Sequence, residues 1–330
     1  MITPKAEYDH GVTETYSNLT LIGGNSNIEL AKKISEKINI PLAKSIIEKF
    51  SDGEIRVKIL DNVRGKDVFI IQSTCPPVND NLMELLIIID AVKRASANSI
   101  TAVIPYFGYA KQEKKVSGRE PISAKLVANL ITVAGANRVV TIDLHAPAIQ
   151  GFFDIPVDNL YSFSTLVNSF MENLVNIDRN SFVVLAPDAG SVIRARMYSE
   201  KMRLPIAVMF KRRPDVEEVE SMEVVGEIKN KNIIIVDDII STAKTLVKAA
   251  EKLKNMGANK IYALVVHPVF SSNAIELVEN SPIEKIFVTD TIPLKFNSKK
   301  IVVVSISGLI SEVIKRIYLR RSISELFDQT

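Results

Sequence analysis

The chain has no tryptophan, one cysteine and only three histidines in 330 residues. A lone Cys75 can form neither an intrachain disulfide nor a cysteine-rich zinc site, and it fits a reducing compartment. No apolar run reaches the ~18 residues of a membrane-spanning helix, so no membrane partner is expected. Residues 1–17 are polar, with Glu7, Asp9 and Glu14 but no arginine, and they lack a signal peptide's apolar core. A disordered extension on a cytoplasmic protein is the expectation. An excess of one charge is missing as well: 41 Lys and Arg face 38 Asp and Glu. The resulting net +3 is too small to argue for nucleic acid, though it admits phosphorylated substrates. Also absent is the G-x-x-x-x-G-K-[ST] spacing of a P-loop.

What is present is a soluble globular composition, 47% apolar and 24% charged, in a chain long enough for two substantial cores. Strand-like and helical runs alternate. Leu19–Gly23, Val68–Gln72, Ile100–Pro105 and Arg138–Leu144 read as strands, separated by helices at Asn27–Ile38, Asn81–Ser96 and Ser123–Ala134. The alternation restarts at Ser162 and continues to a last helix at Ile310–Tyr318. Repeated β-then-α order predicts an α/β protein of two similar units, each a mainly parallel sheet flanked by helices. We place them at residues 18–160 and 161–330. Two charged segments interrupt the pattern, Gly108–Glu120 and Phe210–Glu227.

The richest stretch is Ile233–Leu246. An apolar strand, Ile233–Val236, is followed by Asp237 and Asp238. Ser241, Thr242 and Thr245 come next, around Ala243 and Lys244, before a helix at Leu246–Met256. Ligands of open α/β sheets bind beyond the carboxyl ends of strands. Hydroxyls and N–H groups at a helix start suit an anion, and carboxylates beside them suit vicinal sugar hydroxyls or a metal. The plainer reading is a helix cap beside a solvated Asp pair. Lys211-Arg212-Arg213-Pro214 likewise reads either as a solvated charge run or as cations for a polyphosphate. His145 ends a strand, where a packing or capping role competes with a ligand role. Asp188, in Pro187-Asp188-Ala189-Gly190, reads as a tight turn or as a partner for a ribose hydroxyl or metal-bound water. Phe50-Ser51-Asp52-Gly53-Glu54 reads by itself as an exposed turn.

Taken together, Phe50–Glu54, Asn79–Leu86 with Asp90, Pro105–Ala110, Pro121–Asn129, Asp143–His145, Gln150–Asn159, Pro187–Gly190, Lys211–Pro214, Asp237–Thr245 and Ser322–Phe327 resemble class I ribose-phosphate pyrophosphokinases (PRPP synthetases). The match is in order and runs from Leu19 to Phe327. This resemblance implies two type I phosphoribosyltransferase-like domains. It implies transfer of the β,γ-diphosphoryl group of Mg-ATP to the 1-hydroxyl of ribose 5-phosphate, giving PRPP and AMP.

By the same resemblance Phe50, Asp52 and Glu54 reach adenine in a neighbouring subunit of a homo-oligomer, usually a hexamer. Lys111 and Gln112 contact ATP, with Lys111 standing where the family has arginine. His145 and Asp188 serve the magnesium ions, His145 beside ATP and Asp188 beside ribose 5-phosphate. Lys211 and Arg213 stabilise the moving diphosphoryl group. Asp237 and Asp238 hold the ribose hydroxyls, and Ser241, Thr242, Ala243, Lys244 and Thr245 hold the 5-phosphate.

Arg64, Ser96, Arg119, Gln150, Asp158, Asn159, Ser322, Ser324 and Phe327 match a subunit junction where phosphate activates and ADP inhibits. Asn62 and Pro147 depart from the family there, which implies altered phosphate activation or weaker ADP inhibition. In the phosphate loop Ser241 replaces an aspartate and Lys244 a glycine. If that position needs positive φ, lysine is strained there. Otherwise its side chain points outward, or its ammonium helps neutralise phosphate. A non-catalytic synthetase-associated regulatory subunit is the competing implication. A transferase that consumes PRPP would leave the ATP-side motifs without purpose.

Overall fold

The computed structural model describes residues 16–173, 178–212 and 221–327. The first half runs β1 (Leu19–Gly23), α1 (Ile28–Ile38), β2 (Ser45–Lys49), β3 (Ile55–Ile59), β4 (Asp67–Ile71), α2 (Val78–Arg94), β5 (Ser99–Ile104), α3 (Ser123–Ala134), β6 (Arg138–Ile142) and β7 (Val157–Leu160). The second continues with α4 (Phe163–Asn173), β8 (Phe182–Ala186), α5 (Val192–Met202), β9 (Ile206–Arg212), β10 (Ser221–Val225), β11 (Asn232–Ile240), α6 (Lys244–Asn255) and β12 (Ile261–Pro268). It closes with α7 (Ala274–Glu279), β13 (Ile283–Thr289), β14 (Ile301–Val304), α8 (Ser307–Tyr318) and α9 (Ser324–Phe327). As expected, the fold is α/β with mainly parallel sheets. Among the described residues no helix is long and apolar enough to cross a membrane.

The local reasons are visible in α1. Leu30, Ala31, Ile34 and Ile38 recur at helical spacing and are all buried, while the Asn27 side chain accepts from the Leu30 N–H and Asn39 ends the helix at φ 60°. Burying each large aliphatic contributes about 1.5–3 kcal/mol, more than the ~1 kcal/mol of the cap, so packing decides where the helix lies. Its outer neighbour is α8, whose Ser311 hydroxyl donates to the Ile34 carbonyl at 3.4 Å. The carboxyl-terminal helix thus crosses back to the first half. One apolar cluster draws on both halves, from Leu21 and Phe69 to Phe287 and Ile310.

The first sheet has the order β1-β4-β5-β6-β7 and the second β10-β9-β8-β11-β12-β13-β14. In the second sheet the chain works outward from β8 through β9 to β10, then returns to β11 and proceeds the other way. The switch point of that sheet therefore lies between β8 and β11, where a crevice opens beyond the strand ends.

Two departures from the sequence expectation bear on this region. The strand expected at Ile233–Val236 runs on to Ile240, so Asp237 and Asp238 lie within β11 rather than after it. Its neighbour β8 pairs only as far as Ile235↔Leu185, whereas β12 follows it to Ile240↔Pro268. The Asp pair thus occupies a strand end held on one edge and open on the other. Secondly, the charged break at Phe210–Glu227 contains strand: β9 extends to Arg212 and β10 returns antiparallel along it. The Phe50–Glu54 turn is exposed, as expected, and forms the tip of a two-stranded hairpin, β2–β3.

Candidate active site

A cleft of about 630 Å³ lies at the switch point. One wall is β11 and its loop, with Asp237, Asp238, Ser241, Thr242, Ala243 and Thr245. Asp188 and Arg194 come from beyond β8, and Lys111, Glu113, Lys114 and His145 from the first half. The loop carrying Lys111 is set by a close backbone approach. The Gly108 N–H donates to Thr74 Oγ1 at 2.6 Å, and a Cβ on Gly108 would meet the Thr74 carbonyl at 2.5 Å.

The two halves meet at Asp238. His145 Nδ1 lies 2.6 Å from Asp238 Oδ2, and Arg194 Nη1 lies 3.2 Å from Asp238 Oδ1 and 3.8 Å from Asp237 Oδ1. An ionised carboxylate only accepts, so His145 Nδ1 carries the proton in this contact. The Asp238 N–H donates to Asp237 Oδ1 at 2.9 Å, which orients the first carboxylate with the backbone of the second.

Carboxylates this close do not ionise independently. Burial, and after it the charge of Asp238, pushes Asp237 up to about 8, although 29% of its side chain remains open to solvent. Burial also pushes Asp238 upward, but the hydrogen bond from His145 and the Arg194 charge overcome it and hold this carboxyl below its ordinary range. The same hydrogen bond raises His145. One carboxylate is thus firmly charged and the next one is poised.

The phosphate-type loop resolves the alternatives left by Lys244. This lysine is the first residue of α6, exposed and off the cleft lining, and it is Ala243 that takes the left-handed conformation, at φ 59°. Lysine therefore carries no backbone strain, and its side chain points outward. Ser241 is anchored instead of charged. Its hydroxyl lies 3.0 Å from that of Ser271, whose N–H donates to the Ser241 carbonyl at 3.0 Å. The first N–H groups of α6 have no intrahelical acceptor, which favours an anion there. Asp188 is exposed and caps a short 3-10 helix, its Oδ1 accepting from the Ser191 N–H at 2.9 Å.

Other expected site residues lie elsewhere. Phe50, Asp52 and Glu54 sit exposed at the hairpin tip and do not line the cleft. Gln112 also stays outside it, its Oε1 accepting from the Ser123 hydroxyl at 2.6 Å. Lys211 lies in β9, where its side chain is outside the described structure, and Arg213 lies outside the described residues. None of the nine residues matched to the regulatory junction lines the cleft.

Within that group, the Gly65 N–H beside Arg64 donates to the Ser96 carbonyl at 2.8 Å. Arg119 is exposed with φ 66°. Asp158 pairs with Arg138 at 2.6 Å, and Asn159 accepts from the Leu144 N–H at 2.9 Å. Gln150 donates to the carbonyl of Pro147, which occupies the start of a 3-10 helix, where a missing N–H does no harm. The Ser324 N–H donates to Ser322 Oγ, and Phe327 ends α9.

Arg194, Glu113 and Lys114 are the charged cleft residues that the sequence reading missed. The available signal for Arg194 was its place two residues into a helix opening just past a strand's carboxyl end.

Comparison with known proteins identifies the family. The family model for the N-terminal domain of ribose phosphate pyrophosphokinase matches residues 19–135, and that for the phosphoribosyl synthetase-associated domain matches residues 213–328. A ribose-phosphate pyrophosphokinase of Thermosipho africanus is 52% identical over 313 residues, covering 95% of this chain and 98% of that protein. One from Caldanaerobacter subterraneus is 53% identical over 315 residues, covering 94% and 99%. The crystal structure of phosphoribosylpyrophosphate synthetase from Mycobacterium smegmatis superposes with a TM-score of 0.87 at 37% identity, covering 92% of this chain and 99% of that one. Spanning nearly the whole of these relatives and carrying its charged cleft at the switch point, the chain belongs to the ribose-phosphate pyrophosphokinase family.

Proposed function

We propose that the chain is a ribose-phosphate diphosphokinase, transferring the β,γ-diphosphoryl group of ATP to the 1-hydroxyl of ribose 5-phosphate to give PRPP and AMP. The observation that carries the reading is one cleft in which an Asp pair and a hydroxyl-bearing helix start lie together on β11 and its loop. Asp237 and Asp238 accept from the ribose 2- and 3-hydroxyls and leave the 1-hydroxyl free to attack. Ser241, Thr242 and Thr245 with the α6 N–H groups hold the 5-phosphate, and Ala243 turns the chain into the helix. Lys244 takes part through its backbone N–H at the first position of α6, its side chain pointing away from the cleft. The ATP phosphates lie towards Lys111 and His145. Lys211 and Arg213 neutralise the diphosphoryl group in flight, a transfer that needs positioning and electrostatics more than covalent catalysis.

Magnesium takes oxygen ligands, one or two carboxylates with the rest from substrate phosphates and water. Asp188, an exposed carboxylate on the cleft lining, fits that role and would hold it, where it would supply charge neutralisation for the phosphates. His145, whose Nδ1 is taken by Asp238, would stand beside the ATP phosphates and their magnesium.

The exposed hairpin tip completes the adenine site of a neighbouring copy, so the working form is a homo-oligomer, a hexamer by family habit, in the cytoplasm. The units are residues 18–160 and 161–330. Phosphate and ADP act at the junction formed around Arg64, Ser96 and Ser322, where Asn62 and Pro147 depart from the family, with phosphate activation altered or ADP inhibition weakened. The non-catalytic subunit reading is disfavoured, because relatives at about 50% identity are named as the pyrophosphokinase itself.

Incubation with Mg-ATP and ribose 5-phosphate tests the proposal. Equal amounts of AMP and PRPP are expected, lost in Lys211→Ala. A folded oligomer that makes no AMP with phosphate supplied would return the choice to the non-catalytic subunit.

A further inference from the structure

We propose that Arg194 is a positioning residue for ribose 5-phosphate, holding Asp237 and Asp238 as a fixed pair of hydroxyl acceptors. The inference rests on the reading of that pair as the ribose site.

Arg194 is the third residue of α5, and 19% of its side chain is exposed. Its neighbour in type, Arg196, turns outward and pairs with Glu200 at 2.7 Å, an exposed contact of little consequence. Arg194 turns inward instead and places Nη1 within 3.2 Å of Asp238 and 3.8 Å of Asp237. A third carboxylate, Asp143, acts on it by charge. Asp143 is itself satisfied by the Ser162 N–H and hydroxyl at 2.8 and 2.7 Å.

Among the described residues the other basic side chains nearby do not substitute for it. His267 engages Thr291 Oγ1 at 3.0 Å and the Asp143 carbonyl at 3.2 Å with its two ring nitrogens. Lys111 and Lys114 are exposed on a separate loop. His145 covers Oδ2 of Asp238, which leaves Oδ1 to Arg194.

A guanidinium is a planar fork that can face two carboxylates at once, whereas an ammonium is a point charge. Removing it would leave Asp238 held by His145 alone and Asp237 with no cation beside it, the two carboxyl groups free to turn apart and away from the sugar. The competing account is that Arg194 merely fastens α5 to β11, which would affect folding but not one substrate over the other.

Steady-state kinetics and calorimetry on the full oligomeric protein separate the two. Arg194→Met is expected to raise KM for ribose 5-phosphate roughly 10- to 100-fold while KM for ATP moves less than about twofold. Arg194→Lys recovers part of the loss, and calorimetric affinity for ribose 5-phosphate follows the same order. An unchanged ribose 5-phosphate KM overturns the inference. So does a parallel rise in both KM values that lysine does not relieve.

Should Arg194→Met fail to fold, Arg194→Lys answers alone. It keeps the charge, folds, and raises KM for ribose 5-phosphate; a wild-type KM there also overturns the inference. Asp238→Asn distinguishes the levels. If it weakens ribose 5-phosphate binding about 100-fold while both arginine variants bind normally, only the role of Arg194 falls. If binding is unchanged in Asp238→Asn, the ribose reading falls as well.

Discussion

The carboxyl end of β11 and the tip of the β2–β3 hairpin are both assigned to ligand, yet they are built in opposite ways. At β11 the chain supplies its own supports. Asp238 is gripped by His145 and Arg194, Asp237 accepts the next N–H, and Ser241 is paired with Ser271. At the hairpin it is the stem that is fixed, by Asn25, whose Nδ2 donates to the Ile47 carbonyl at 3.1 Å and to Glu84 Oε2 at 2.9 Å, and by Lys49, which pairs with Asp80 at 2.6 Å. Beyond that anchor Phe50 stands 50% exposed, and the Asp52 carboxylate serves only its own turn, accepting from the Glu54 N–H. A rigid stem that presents an aromatic to solvent suits the proposed site shared between copies, whereas the residues of the proposed ribose half all come from one chain. On the proposed reading, damage at β11 should injure one substrate's site outright. Damage at the hairpin should be reparable by another subunit.

The largest effect should come from Asp238→Asn, which replaces a charged acceptor facing two cationic partners with an amide. KM for ribose 5-phosphate should rise about 100-fold with KM for ATP nearly constant. Phe50→Ala is expected to do the reverse, raising KM for ATP about tenfold with thermal stability unchanged, because that ring is not part of the core. Mixing these two inactive or weakened proteins under conditions that exchange subunits sharpens the contrast. Sound clefts of the Phe50→Ala chain would meet sound hairpins of the Asp238→Asn chain, and activity should exceed that of either alone. A mixture no better than its parts would break the comparison.

A smaller effect concerns stability against pH. The folded-state pKa of Asp237 is raised to about 8 from an ordinary 3.8, so between those values the folded chain binds a proton that the unfolded chain has lost. Its contribution to stability is thus fullest below about pH 4 and declines as pH rises towards 8. Asp237→Asn removes that decline. We expect the ligand-free variant to melt about 2 °C above wild type at pH 8, with no such gain at pH 4, while losing ribose 5-phosphate binding. Equal melting gains at both pH values would contradict this assignment. Smallest of all is Cys75, buried with its thiol pushed up to about 11, first by burial. It should resist thiol reagents at pH 8 in the native protein and react only on unfolding, as followed by absorbance.

The alternating elements, and the place of the Asp237–Thr245 stretch between a strand and a helix, were legible in the sequence because they rest on local periodicity and strand-to-helix grammar. The true end of β11 was not. It is set by the neighbours, since β8 stops at Ala186 while β12 continues beside Asp237 and Asp238. Arg194 was hidden for a related reason. In Val192-Ile193-Arg194-Ala195-Arg196 two arginines look alike, and only the packing of α5 turns one towards carboxylates more than 40 residues along the chain. β10 lay behind a run of charge that reads as loop. Lys244 raised a question of backbone strain that the sequence left open, and the start of α6 answered it by placing the left-handed turn at Ala243.

The central claim is that two phosphoryl groups leave ATP together. It is tested most directly with ATP labelled in the β-phosphate, incubated with magnesium and ribose 5-phosphate and resolved into products. The account predicts that the label appears on the ribose product while unlabelled AMP forms in equal amount. Label retained in ADP would mean that a single phosphoryl group had moved, and would contradict it.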